Sequence, residues 1–122
     1  MKKSVLLVED DPFLIDIYAA KLKEADYSID IVEDGEATRR KLQEKTPDVI
    51  VLDLVLPKID GWEILKEIKA DSKLSNIPVV ILSNLGQKSE VERGLAMGAT
   101  KYLIKAHYTP SEVIEEIKKV TQ

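Results

Sequence analysis

The chain has 122 residues, 44% hydrophobic and 33% charged, with no cysteine and a formal net charge of -4. This length suits one domain around a single core, and the balance of residue types excludes a disordered chain and a membrane-spanning one. Without thiols there are no disulfides, thiolate metal sites or cysteine nucleophile, and 22 acids against 18 bases with no basic block disfavour direct nucleic-acid binding.

Met1 to Ser4 lead straight into an apolar run, with no export segment or small-residue cleavage site, so the expected location is cytoplasmic. Short apolar runs then alternate with amphipathic stretches, the pattern of strand-helix units around a parallel sheet. In chain order the strands are predicted at Val5 to Val8, Ser28 to Val32, Val49 to Leu52, Val79 to Leu82 and Tyr102 to Ile104. VLLV, VIVL and VVIL are apolar without alternation, so both their faces need cover and they belong in the middle of the sheet.

Helical stripes fall between the strands: Leu14, Tyr18, Leu22 and Ala25; then Trp62, Leu65 and Ile68; then Val113, Ile117 and Val120. Gly98 is placed to end the helix before the fifth strand. Thr109 and Glu112 are spaced as a capping box around Pro110, which starts the last helix. No linker or repeat interrupts the series, and the chain reads as one domain over residues 1–122 with no output domain. Right-handed crossovers make this an α/β doubly wound sheet with helices on both faces, whose ligands bind beyond the carboxyl ends of the strands.

Glu9, Asp10 and Asp11 follow the first strand directly, Asp53 follows VIVL, and Ser83 and Lys105 end the fourth and fifth strands. Crowded carboxylates repel, so such a rim needs a cation, and an all-oxygen donor set favours magnesium or calcium over zinc. Few protein carboxylates and room for waters select magnesium. A carboxylate nucleophile, a metal, a lysine and a hydroxyl together supply what phosphoryl transfer requires, because its catalysis is positioning and charge neutralisation. Each residue also has a plainer reading: Asp11 before Pro12 as a helix cap, Asp53 as a solvated strand end, Ser83 as a turn residue, Lys105 as a surface charge. Their joint placement outweighs these.

The segments VLLVEDDP (Val5 to Pro12), DVIVLDLVLPKIDG (Asp48 to Gly61), IPVVILS (Ile77 to Ser83), Gly98-Ala99 and KYLIK (Lys101 to Lys105) resemble the receiver domains of two-component response regulators. The resemblance covers essentially the whole chain and implies a five-stranded parallel sheet of order 2-1-3-4-5. It implies Asp53 as phosphoacceptor, Asp10 and the main-chain carbonyl of Val55 as direct magnesium ligands, and Glu9 acting through water. Asp11 stays open between ligand and cap. Ser83 and Lys105 would each bond a phosphoryl oxygen, and Tyr102 would be the aromatic that turns inward afterwards.

By the same resemblance Pro57 and Gly61 shape the acceptor loop. The donor is a histidine kinase or histidine phosphotransfer protein, the output surface comprises the fourth helix, fifth strand and fifth helix, and a downstream protein target reads it, with the chain a monomer or weak dimer. The domain is then a phosphoacceptor, catalysing only its own phosphorylation and dephosphorylation. Two departures stand out. Ala106 follows Lys105 where the family usually has proline, so a trans bond is expected there, cis before alanine costing about 2.5–4 kcal/mol. Asn84 stands where a smaller residue commonly follows the hydroxyl.

Three other functions are weaker. An aspartate phosphatase similar to the haloacid dehalogenases wants an acid two residues after its nucleophile, where this chain has Val55. A nucleotide module wants a glycine-rich loop after the first strand, which is missing. A receiver that has lost phosphorylation would not keep every main site residue.

Overall fold

The computed structural model describes residues 2–122. Five strands and five helices alternate: β1 (Ser4–Val8), α1 (Pro12–Glu24), β2 (Ser28–Val32), α2 (Gly35–Glu44), β3 (Val49–Leu52), α3 (Gly61–Ala70), β4 (Val79–Ser83), α4 (Lys88–Ala96), β5 (Lys101–Ile104) and α5 (Pro110–Thr121). All neighbouring strands pair in parallel, in the order β2-β1-β3-β4-β5. The sheet therefore matches the expected order, with β1, β3 and β4 central. β1, β4 and β5 each extend one residue beyond the sequence-based boundaries, and Ser83 becomes the last residue of β4.

Every residue of β3 and β4 is buried, as the unbroken apolar runs require. In edge strand β2, by contrast, only Val32 is buried. One core layer joins Val5, Leu7, Val49, Val51, Val80 and Leu82 to Tyr18 and Leu22 of α1 and Val113 and Ile117 of α5. The other joins Leu6, Ile50, Leu52 and Ile81 to Ile64, Leu65 and Ile68 of α3, with Ala37 and Leu42 of α2 against it. Helices thus cover both faces.

Local chemistry sets the helix ends. Thr109 Oγ1 accepts the Glu112 N–H at 3.2 Å and Glu112 accepts the Thr109 N–H at 2.8 Å, completing the expected capping box. Gly98, at φ +109°, donates to the Leu95 carbonyl while Ala99 donates to Gly94, and these bonds close α4 in the manner of a Schellman stop. Half-buried Trp62 packs at the start of α3, and the Arg93 guanidinium of α4 sits 4.0 Å from its ring centroid.

Lys69 of α3 donates to the Ser75 and Ile77 carbonyls at 3.0 and 3.3 Å, tying down the loop into β4. Burial lowers its pKa below 10.5, so just under that value the unfolded chain binds more protons than the folded one. The contribution of Lys69 to stability therefore rises with pH through that window and is lost as pH falls through the folded-state pKa. Urea unfolding of the wild type and Lys69→Met at several mildly alkaline pH values should show the wild type gaining stability relative to the variant as pH rises; parallel curves would refute it.

Candidate functional site

β1, β3, β4 and β5 deliver the singled-out residues to one edge of the sheet. Asp53 directly follows β3 and is only 5% exposed, because neighbouring strands and the β3–α3 loop close around it. Its Oδ2 accepts a 2.7 Å hydrogen bond from Lys105 Nζ, and its Oδ1 accepts the Val55 N–H at 3.1 Å. The Gly61 N–H returns to the Leu54 carbonyl at 2.9 Å, and a Cβ on Gly61 would lie 2.4 Å from the Asp53 carbonyl oxygen. Only glycine permits the acceptor strand and α3 to meet this closely.

Glu9 is 1% exposed and doubly engaged. Its Oε1 lies 2.7 Å from Lys105 Nζ, while Oε2 accepts the N–H groups of Asp10 and Asp11, each at 3.1 Å. Burial pushes the Glu9 carboxyl above its ordinary value, and Lys105 offsets only part of this. For Lys105 itself burial acts downward, but its bonds to Asp53 and Glu9 prevail and its pKa is raised. One cation therefore neutralises two buried acids.

Carboxylate oxygens of Glu9, Asp10 and Asp53 lie within 4.8 Å of one another, with Asp10 exposed at the mouth. Octahedral magnesium, with bonds of about 2.0–2.1 Å, holds its oxygens about 3–4 Å apart, so the set fits after small side-chain movements. Asp11 is not among the three. Its Oδ1 accepts the Phe13 and Leu14 N–H groups at 2.9 and 3.4 Å, capping α1 ahead of Pro12. This is the geometry of a helix cap, made through one of its two oxygens.

Ser83 is fully buried at the end of β4, with its Oγ accepting the Leu85 N–H at 3.3 Å. Tyr102, paired in register with Ile81, donates from its hydroxyl to the Leu85 carbonyl at 2.6 Å. Both side chains thus hold the main chain of one residue in the β4–α4 loop. Burial, then the charges of Glu90 and Asp53, raise the Tyr102 pKa. No peptide bond among the described residues is cis, so Lys105–Ala106 is trans as expected. Lys105 reaches Asp53 without a proline, from a 3-10 turn over Lys105–His107 that also leaves His107 exposed. Asn84 is exposed beyond Ser83.

The family described as "Response regulator receiver domain" matches residues 5–118. The chain belongs to that family. Receiver domains are signalling modules of two-component systems and bind magnesium through an acidic cluster of this kind. The gliding motility regulatory protein of Myxococcus xanthus is 34% identical over 117 residues, covering 96% of this chain and 15% of that protein. Other curated relatives are matched over 45% to 52% of their length, so this receiver domain spans about half of them or less.

A putative response regulator from Chloroflexus aurantiacus superposes with a TM-score of 0.91 at 26% identity, over 99% of this chain and 98% of that one. The Mn(2+)-bound form of response regulator Rcp1 gives 0.81 at 33% identity, over 98% and 89%. Among the described residues no helix is long and apolar enough to cross a membrane.

Proposed function

We propose that this receiver domain takes a phosphoryl group onto Asp53 from the phosphohistidine of a sensor kinase or phosphotransfer protein, and relays the change to a protein partner in the cytoplasm. The observation that carries this is a buried carboxylate, Asp53, held by Lys105 and the Val55 N–H beside Glu9 and Asp10. An Asp53 oxygen attacks phosphorus, the bond from phosphorus to the donor nitrogen breaks, and an acyl phosphate remains on the chain. Magnesium, held by Glu9, Asp10, Asp53 and the Val55 carbonyl, would supply charge neutralisation for the transferring group. The Mn(2+)-bound Rcp1 neighbour supports a divalent ion there.

Lys105 would neutralise one phosphoryl oxygen and Ser83 would donate to another. Drawing Ser83 toward the phosphoryl group would free the Leu85 N–H, and Tyr102 holds the carbonyl of that same residue. This shared attachment supports Ser83 and Tyr102 as a switch pair acting on α4, β5 and α5. The shift would redistribute two existing conformations.

Intact-mass measurement tests the reading. With acetyl phosphate and magnesium the protein should gain the mass of one phosphoryl group, and chelating the magnesium should stop the gain. An unchanged mass under conditions that label a control receiver would refute it.

A further inference from the structure

The loop between β3 and α3 contains Val55 and is pressed from its far side by the N-terminus of α2. The Gly35 N–H donates to the Pro57 carbonyl at 3.3 Å. A Cβ on Gly35 would lie 2.2 Å from the Ile59 carbonyl oxygen and 2.4 Å from Ile59 Cβ, closer than real Cβ atoms approach. The first obstacle is main chain and cannot swing aside. Between these contacts Lys58 adopts φ +68°, a strained conformation for a lysine that persists only where its surroundings over-determine it. Its ammonium lies 3.8 Å from Asp34 and 3.6 Å from Glu36, and Asp34 also caps α2 through the Ala37 N–H at 2.8 Å.

α2 contributes little to the core, since Gly35 and Thr38 are its only buried residues. Its first turn is instead spent on the loop, at three successive residues, Pro57, Lys58 and Ile59. We propose that Gly35 is a positioning residue for the metal: its bare Cα lets α2 seat against Ile59, and that seat fixes the loop on which Val55 stands. The inference rests on the magnesium site proposed above.

The role is reciprocal by linkage: if the seat favours the bound ion, the bound ion favours the seat by the same factor. The Gly35 N–H bonds Pro57 and its added Cβ would meet Ile59, so the direct route from its substitution to the metal is the loop.

The test is magnesium titration by calorimetry of the wild type, Gly35→Ala, and Ile117→Ala, whose cavity lies in the opposite core layer. Gly35→Ala should bind magnesium about tenfold more weakly, the low end for residues that support a metal site indirectly, with labelling recovered at saturating magnesium. Ile117→Ala, although destabilised, should bind as the wild type does. Wild-type affinity in Gly35→Ala would overturn this proposal alone, whereas a wild type that ignores magnesium would sink the functional reading with it. Hydrogen exchange on the wild type decides the matter should Gly35→Ala not fold. Magnesium should slow exchange of the Gly35 amide, and an unchanged rate there would overturn the proposal.

Discussion

Asp53→Ala is expected to gain no phosphoryl mass from acetyl phosphate at any magnesium concentration, while unfolding within about 2 kcal/mol of the wild type. The neighbouring acids make poorer nucleophiles. Glu9 is buried more deeply than Asp53, and one of its oxygens accepts two backbone N–H groups where each Asp53 oxygen accepts a single hydrogen bond. Asp10 is exposed, beyond the grip of the lysine. The modest stability cost follows from the same contacts: Lys105 keeps Glu9 as its partner, so alanine loses one charge-assisted bond and the Val55 N–H loses its acceptor. Removing one of two adjacent buried acids also relieves repulsion. Intact mass and urea unfolding on one sample check both halves. Equal labelling of the variant would move the acceptor to another acid, and loss of folding would mean that Asp53 is chiefly structural.

What the sequence made legible follows from where burial is complete. VLLV, VIVL and VVIL announce the central strands because both faces of each are covered, and the acids at their ends are placed by the strands themselves. α2 and α4 are nearly silent, since each buries so little that no apolar stripe forms. The role of Asp11 was not decidable from composition, because a carboxylate before proline serves equally as cap or ligand; geometry alone places it with the Phe13 and Leu14 amides. Gly35 was missed for a different reason. Beside Asp34 it reads as an ordinary turn glycine, and its need to be bare arises from Ile59, far along the chain. Likewise nothing in the local sequence of Leu85 signals that Ser83 and Tyr102 both hold it, since that depends on β4 and β5 being neighbours.

Lys105→Met should be costly in two separable ways. Methionine keeps much of the reach and bulk of the side chain but leaves Glu9 and Asp53, 1% and 5% exposed, without their shared cation. Breaking a buried pair by removing one partner costs about 3–5 kcal/mol, so the metal-free variant should unfold at markedly lower urea. Magnesium should restore much of this, because an ion at 100 times its dissociation constant stabilises the folded state by about 2.7 kcal/mol and here replaces the missing charge. Replacing Glu9 by glutamine in the same background should also recover stability, a non-additive response expected only if both residues act through one charge cluster. Phosphorylation should not recover in step. At saturating magnesium the labelling rate should still fall about a hundredfold, the scale of losing one preorganised donor to a transition-state oxygen. A rate restored to the wild-type value by magnesium alone would make Lys105 only a counter-ion of the resting site. A stability unaffected by the substitution would mean that the charges of Glu9 and Asp53 are compensated by something other than the lysine.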